Sequence, residues 1–552
     1  MEFNLADLFE AVVDTVPDTT AMVADRRRLT YADLDDRADR LAHHLLSAGI
    51  GHGDRVGVQL ANGTEYLETM LACFKVRAVP VNVNYRYVSD ELRYLYADAG
   101  LVGLVVHRRF AAGAAGAADG LAEHRAVLVV EDRDPTDRAG DDAADAADGT
   151  GLEGAVDYEA ALAGAVPGRA FGPRSADDLY CVYTGGTTGM PKGVLWRHED
   201  IFFAAMGGGD PLTLGDAITE PGQLPGRVLR PGIVALAIPP FMHASGHWLA
   251  FSNLFGGGTV VTLPHGTFDP GVVWATVEAE RANAIVLVGD AMAVPLLDAL
   301  EAGDAGRDLS SLLAVGSGGA VLSPSTKRRL ADLLPGRIVA DLFGSSETGQ
   351  VGGEQLEGDP FGAPHLRVNE RTDVLDDRLE PVVPGSGVVG RLARTGHVPL
   401  AYLGDPEKTA ATFVESGGRR WSLPGDLATV GADGVITVLG RGSLSINTGG
   451  EKVFPDEVEA ALKGHPDVVD AIVVGVPDER FGQQVCAVVQ FRPGRTVGLD
   501  ELRAFLRGSL TGYKLPRRVV ATEAIVRSPA GKPDYPWAAA FARSEPPVGG
   551  AG

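Results

Sequence analysis

The sequence predicts an α/β fold, with a large N-terminal domain of mixed α/β sheets followed by a small, mobile α+β domain. Three observations carry this reading. The chain has 552 residues, more than one hydrophobic core usually serves, so at least two domains are expected. Amphipathic segments with apolar residues at three- and four-residue steps alternate with short β-branched runs, the rhythm of helices crossing over between largely parallel strands. Near residue 440 the rhythm breaks, and residues 441–552 carry a compact α+β pattern of their own. The expected domains are therefore 1–440 and 441–552.

The elements follow in order. "YADLDDRADRLAHHLLSAG" predicts an amphipathic helix stopped at Gly49, because glycine takes the left-handed conformation past a helix end without strain. "DRVGVQL" is the next strand, and "ETMLACFKVRAVPVNV" and "GLVGLVVH" continue the alternation. From about residue 111 to 170 the chain turns to Ala, Gly and Asp, as in "AAGAAGAADG" and "DDAADAADGTG". That composition predicts a surface excursion with a flexible portion. "DDLYCVY" predicts a strand, a Gly/Thr-rich loop follows, and "GVLWRHEDIFFAAM" reads as strand then helix. Past residue 440 a short helix around Glu457 to Leu462 precedes two apolar strands, and "LDELRAFLRGSL" supplies a further helix.

Composition narrows the function. Apolar residues at 45% and charged residues at 22% describe an ordinary globular protein. A net charge of −24 argues against a nucleic-acid backbone as partner, which needs clustered Lys and Arg. It also disfavours docking on an anionic membrane. The acidic start "MEFNLADLFEAVVDTVPD" lacks the layout of a signal peptide. The most apolar stretch, "GIVALAIPPFMHASGHWLAF", is interrupted by two prolines and two histidines, so no bilayer span is predicted. Cys73, Cys181 and Cys486 are few and widely separated, which suggests a reducing compartment and offers no Cys/His metal cluster. A cytoplasmic protein is expected, and a homodimer is compatible with this.

"YTGGTTGMPKG", residues 183–193, is the stretch richest in chemistry. Gly185, Gly186 and Gly189 leave backbone N–H groups open to an anion. Thr184, Thr187 and Thr188 add hydroxyls, and Lys192 adds a charge. No Gly-Lys-Ser/Thr closes the loop, so it is not the P-loop of nucleotide triphosphatases. It resembles instead the phosphate-loop signature of the adenylate-forming superfamily: acyl-CoA synthetases, aryl-CoA ligases, luciferases and peptide-synthetase adenylation domains. Motifs similar to that family's others follow in order along nearly the whole chain.

"PPFMHASGH" resembles the element that ends in an aromatic and a histidine beside the acyl pocket, which maps onto Phe241 and His243. A histidine in an apolar stretch is ordinarily a satisfied core residue; the resemblance reverses that for His243 but not for His247. "VGSGGAVLS" resembles the strand and turn on which adenine lies, through Ser317, Gly318 and Gly319. "DLFGSSETG" is similar to the element in which an aromatic stacks on adenine, a threonine meets phosphate and a glutamate binds Mg²⁺. These would be Phe343, where tyrosine is more common, Thr348 and Glu347. "LPGDLA" puts Asp426 where a carboxylate holds the ribose hydroxyls, and Arg441 matches an arginine that reaches ribose and phosphate. Lys532 in "SPAGKPDY" matches the lysine that catalyses adenylate formation. Ser443 stands where the family's hinge residue is often Asp or Lys.

The resemblance implies that ATP and a carboxylic acid give an acyl-adenylate, and that CoA then takes the acyl group. "GRGSLSINTGGEKVFPDEVE", "VLWRHED" and "VNERTDVLD" look like a subgroup of actinobacterial acyl-CoA synthetases that includes ones acting on steroid side-chain acids. Phe241, Met242, Trp248 and Met292 are the expected apolar walls of the acyl pocket, with Ala244, Gly246, Ala291 and Ala293 leaving room between them. A medium-to-long fatty acid or a ring-bearing acid is the expected substrate. His247 and Asp290 could make the pocket polar instead, favouring an aryl or amino-bearing acid. Two alternatives share the same motifs: an adenylate former of secondary metabolism, and an ATP-dependent diazotase that uses nitrite and an aryl amine.

Overall fold

The computed structural model describes residues 1–121, 123, 125–132, 150–184, 190–210, 216–263, 268–303, 306–320, 322–352, 366–448, 451–478, 482–527 and 532–548. Two eight-stranded sheets form the frame of the large body. One runs, from edge to edge, through 349–352, 338–345, 314–318, 284–287, 234–237, 259–262, 20–24 and 27–30. The other runs through 401–402, 192–197, 179–184, 79–82, 55–59, 103–107, 126–130 and 155–157. Their inner strands pair parallel, and antiparallel pairing appears towards the edges. The predicted rhythm has a physical cause: the inner strands are short apolar runs buried on both faces, as helical crossovers require.

The first helix of the alternation spans Tyr31–Ser47 behind a Thr30/Asp33 capping box. Gly49, two residues past its end, has φ +75°. Leu5–Thr15, Tyr31–Ser47, Thr64–Lys75, His198–Ala205 and Ala244–Phe255 share one continuous core that includes Phe9, Phe74, Tyr180, Trp196 and Trp248. Lys75 lies inside it, wholly buried, with its ammonium 2.8 Å from Glu10 and 2.7 Å from both Asp35 and Asp39. The three carboxylates are close enough to hold a metal ion, but the ammonium already occupies the position of the cation. Arg169 and Arg174 reach the same carboxylates from the linker that leads into strand Leu179–Thr184.

One expectation is overturned. The Ala/Gly/Asp-rich region from 111 to 170 is not simply a surface excursion: it contributes strands Ala126–Val130 and Ala155–Asp157 to the second sheet. All five residues of Ala126–Val130 are buried. The bias of the surrounding sixty or so residues hid a short apolar run that is a fully buried parallel strand in its own right. Residues 133–149 lie outside the described residues.

A seven-stranded antiparallel sheet from 366 to 441 caps the large body and ends in strand Val435–Arg441. A 3₁₀ turn, Gly442–Leu444, leads into a five-stranded sheet built from 446–522. That sheet has its own cores: one side packs on Pro455–Lys463 and Leu499–Leu506, the other on Tyr535–Ser544. The two bodies touch where Lys463 Nζ lies 3.5 Å from Asp290 and Ser325 Oγ donates to the Lys463 carbonyl over 3.1 Å.

Candidate active site

In open parallel sheets, ligands bind outside the carboxyl ends of the strands, and several of the predicted residues lie there. Thr184 closes strand Leu179–Thr184 and pairs across with Lys192, which opens strand Lys192–Arg197. Gly185, Gly186, Thr187, Thr188 and Gly189 lie outside the described residues. Ser317 and Gly318 end strand Ala314–Gly318, and Gly319 follows at φ +86°. Ser317 Oγ accepts from the Gly289 amide and donates to the Ala320 carbonyl, which pins this turn to the start of helix Gly289–Ala302. Phe343 stands on the neighbouring strand, half-buried.

The turn after that strand is tightly held. Glu347 and Thr348 are buried. The Glu347 amide donates to Ser345 Oγ, and the Ser345 amide donates to Thr348 Oγ1. From outside the turn, Tyr402 OH donates to Glu347 Oε1 over 2.9 Å and Ser422 Oγ donates to the Glu347 carbonyl over 2.6 Å. Trp196 Nε1 donates to the Ser346 carbonyl over 3.1 Å, tying the turn to the strand that follows the phosphate-loop candidate.

Asp426 opens strand Asp426–Val430 directly opposite Arg441, with the guanidinium 3.6 Å from the carboxylate. Burial raises the Asp426 pKa, a shift that Glu347 reinforces and that Arg441 and Lys532 oppose. Lys532 keeps an exposed surface, yet the surrounding protein desolvates its ammonium and lowers its pKa. Arg441 pushes the same way, and Glu347 and Asp426 push back. His243 caps helix Ala244–Phe255 by position, without a side-chain capping bond. Its Nε2 is buried with no hydrogen-bond partner. Desolvation first, then Lys532, His247 and Arg86, press the His243 pKa down to about 3, so the ring is neutral at pH 7. Groups from residues 243, 347, 426, 441 and 532 therefore feel one another's charge across the junction of the two bodies.

Lys192 does not stand alone. Its ammonium lies 3.1 Å from Asp405, a bridge that raises the Lys192 pKa; the Lys408 backbone amide first, and Lys192 next, lower that of Asp405. Ser443 falls in the 3₁₀ turn Gly442–Leu444 between the bodies.

The expected acyl-pocket walls are corrected. Phe241, Met242 and Trp248 are buried core side chains: Phe241 meets Tyr66 edge-on, and Trp248 Nε1 donates to Tyr180 OH over 2.9 Å. Gly246 leaves no room, because a Cβ there would lie 2.5 Å from the Pro240 carbonyl oxygen. Ala293 is core and Met292 packs against that core. Asp290 accepts from the Ser323 amide and faces Lys463, so it is a structural joint. His247 is the satisfied core histidine expected, bonded to the Phe241 carbonyl and to Tyr180 OH. The apolar pattern of this stretch signals burial, and burial in a core and burial around a ligand look alike in one sequence. Tyr402, Asp405 and Ser422 were missed. Only Asp405-Pro406 carried a local signal, that of a helix start, and the contact of Tyr402 with Glu347 spans 55 residues.

Comparison with known proteins now decides the family. Residues 9–398 match the model described as AMP-binding enzyme, and 457–532 match AMP-binding enzyme C-terminal domain. The chain belongs to the AMP-binding enzyme family. It is 49% identical over 545 residues to the 3-oxocholest-4-en-26-oate–CoA ligase of Rhodococcus rhodochrous, covering 98% of this chain and 96% of that protein. It is 46% identical over 541 residues to the medium/long-chain-fatty-acid–CoA/3-oxocholest-4-en-26-oate–CoA ligase of Mycobacterium tuberculosis, covering 97% and 95%. ATP-bound MatB from Rhodopseudomonas palustris superposes with a TM-score of 0.80 at 26% identity, covering 99% of both chains. The predicted adenylate-forming fold is thereby borne out. Among the described residues, no helix is long and apolar enough to cross a membrane.

Proposed function

We propose that this AMP-binding enzyme is an acid–thiol ligase that activates a bulky hydrophobic carboxylic acid, fatty or steroidal, in two steps. A carboxylate oxygen attacks the α-phosphorus of ATP and pyrophosphate leaves. The CoA thiol, losing its proton, then attacks the acyl carbonyl, and AMP leaves as the thioester forms. The observation that carries this reading is that Lys532, Arg441, Asp426 and Glu347, charged groups of both signs gathered from two bodies, lie near enough to act on one another, with Arg441 3.6 Å from Asp426. The names of the close relatives supply the substrate class.

The residue roles belong to the same proposal. The first step brings a carboxylate against a triphosphate, so positive charge must be placed where the two meet. Lys532 would hold the α-phosphate and the incoming carboxylate, and Lys192, Thr184 and the loop 185–189 would hold the leaving phosphates. Asp426 would accept from the ribose hydroxyls and Arg441 would bridge ribose and phosphate. Phe343 and the Ser317–Gly319 turn would sandwich adenine, and Thr348 would meet phosphate. His243, neutral and with an unpartnered nitrogen, would face the acyl carboxylate. Glu347 is a buried carboxylate on a fixed turn, the hard oxygen donor that suits Mg²⁺; when bound, the ion would neutralise phosphate charge. The domain boundary would fall at 440/441, and a swivel near Ser443 would release Lys532 before the thioester step.

The test is kcat/KM, by pyrophosphate release with CoA present, for acetate, octanoate, palmitate, a steroid side-chain acid and an aminobenzoate. Palmitate or the steroid acid should exceed acetate by at least about 100-fold, since burying several extra methylenes contributes about 0.8 kcal/mol each. Preference for acetate, or turnover only of the aminobenzoate with nitrite, would overturn the reading.

A further inference from the structure

Glu347 is held from outside its own turn by a residue that lies in none of the motifs read from the sequence. Tyr402 OH donates to Glu347 Oε1 over 2.9 Å, and Tyr402 is only 4% exposed. Its position is fixed from several sides. The Ala401–Tyr402 strand pairs with Lys192–Arg197, placing Tyr402 opposite Val194. The Tyr402 amide donates to Thr409 Oγ1 over 3.0 Å, and its ring packs against Phe413. The Lys408 ammonium lies 4.3 Å from the ring centroid; a cation over the ring face draws electron density from the phenol and strengthens it as a donor. Three residues further on, Asp405 meets Lys192, so one short segment reaches both the candidate metal ligand and the candidate phosphate lysine.

A buried carboxylate without such a donor could turn about its last torsion, which is broad and roughly two-fold. With Oε1 held by the phenol, the direction of Oε2 is fixed as well. We infer that Tyr402 is a positioning residue for the first half-reaction: its hydroxyl orients Glu347 and so sets how tightly the divalent cation is held with the nucleotide. This rests on the role proposed for Glu347.

The experiment uses the full-length Tyr402→Phe protein, which keeps the ring and removes the donor. Mn²⁺ affinity is read by electron paramagnetic resonance in the presence of α,β-methylene-ATP, and the Mg²⁺ dependence of pyrophosphate release is read alongside. Loss of an outer partner of a metal ligand typically weakens metal binding 10- to 100-fold, and here about ten-fold is expected in both readouts. Thioester formation from preformed acyl-adenylate should change less than about two-fold. In a Glu347→Gln background, Tyr402→Phe should add less than about two-fold to the loss. Unchanged Mn²⁺ affinity, an equal loss in both half-reactions, or full additivity with Glu347→Gln would each overturn the inference. Should wild-type protein bind Mn²⁺ and nucleotide but activate no acid, the proposed function fails while the Mn²⁺ measurement still decides the part played by Tyr402.

Discussion

Lys532→Ala should lower pyrophosphate release by about 100- to 1000-fold, the usual cost of one well-placed charge-stabilising group. The ammonium sits where Glu347, Asp426 and Arg441 all act on it, so its removal leaves the developing charge at the α-phosphorus short of one cation. ATP binding should fall far less, because Lys192 and Arg441 remain, and thioester formation from preformed acyl-adenylate should persist. The pH profile supplies a second check. The Lys532 pKa is lowered, chiefly by desolvation, so the ammonium is lost as pH rises through a value below the usual 10.5 or so. Adenylation should therefore show an alkaline limb earlier than an ordinary lysine gives, and the alanine variant should lack it. Pyrophosphate exchange at the wild-type rate in a folded Lys532→Ala protein would refute this role.

Lys75→Met should be the most destabilising single change among the buried charges described here, by about 3 to 5 kcal/mol. The wholly buried ammonium faces Glu10, Asp35 and Asp39 at hydrogen-bond distance. Methionine keeps the volume but leaves the carboxylates to repel one another, with Arg169 and Arg174 as partial relief. The deficit has a definite pH dependence. Without the cation the folded-state carboxylate pKa values rise, so the folded variant takes up protons as pH falls and its deficit shrinks. Urea unfolding followed by tryptophan fluorescence at pH 7.5 and pH 5.5 checks both points. A midpoint within 0.2 M of wild type at pH 7.5, or a deficit that grows on acidification, would contradict the account.

How much was legible follows from where each signal resides. Strands such as Arg55–Gln59 and helices such as Tyr31–Ser47 announce themselves because a period of two or 3.6 is written locally. Strand Ala126–Val130 went unread because its five apolar residues lie in a region biased to Ala, Gly and Asp. The convergence of His243, Glu347, Asp426, Arg441 and Lys532 was foreseen only through ordered motifs, since nothing local brings residues 243 and 532 together. Phe241 and Trp248 were misjudged because an apolar residue reports that it is buried, not what buries it. Tyr402 carried no periodic or compositional signal at all: its bond to Glu347 exists only once strand Ala401–Tyr402 has paired with Lys192–Arg197.

The central claim is that the acid is activated as an adenylate before CoA receives it, and an oxygen label tests this most directly. Palmitate or a steroid side-chain acid carrying ¹⁸O in both carboxylate oxygens is turned over with ATP and CoA, and the products are weighed by mass spectrometry. Attack of a carboxylate oxygen on the α-phosphorus leaves that oxygen bridging acyl and phosphate. Its departure with the phosphate puts one ¹⁸O into AMP and leaves one in the thioester carbonyl. Singly labelled AMP, singly labelled acyl-CoA and unlabelled pyrophosphate are expected in equal amounts. Unlabelled AMP, or ADP with label in inorganic phosphate, would contradict the claim.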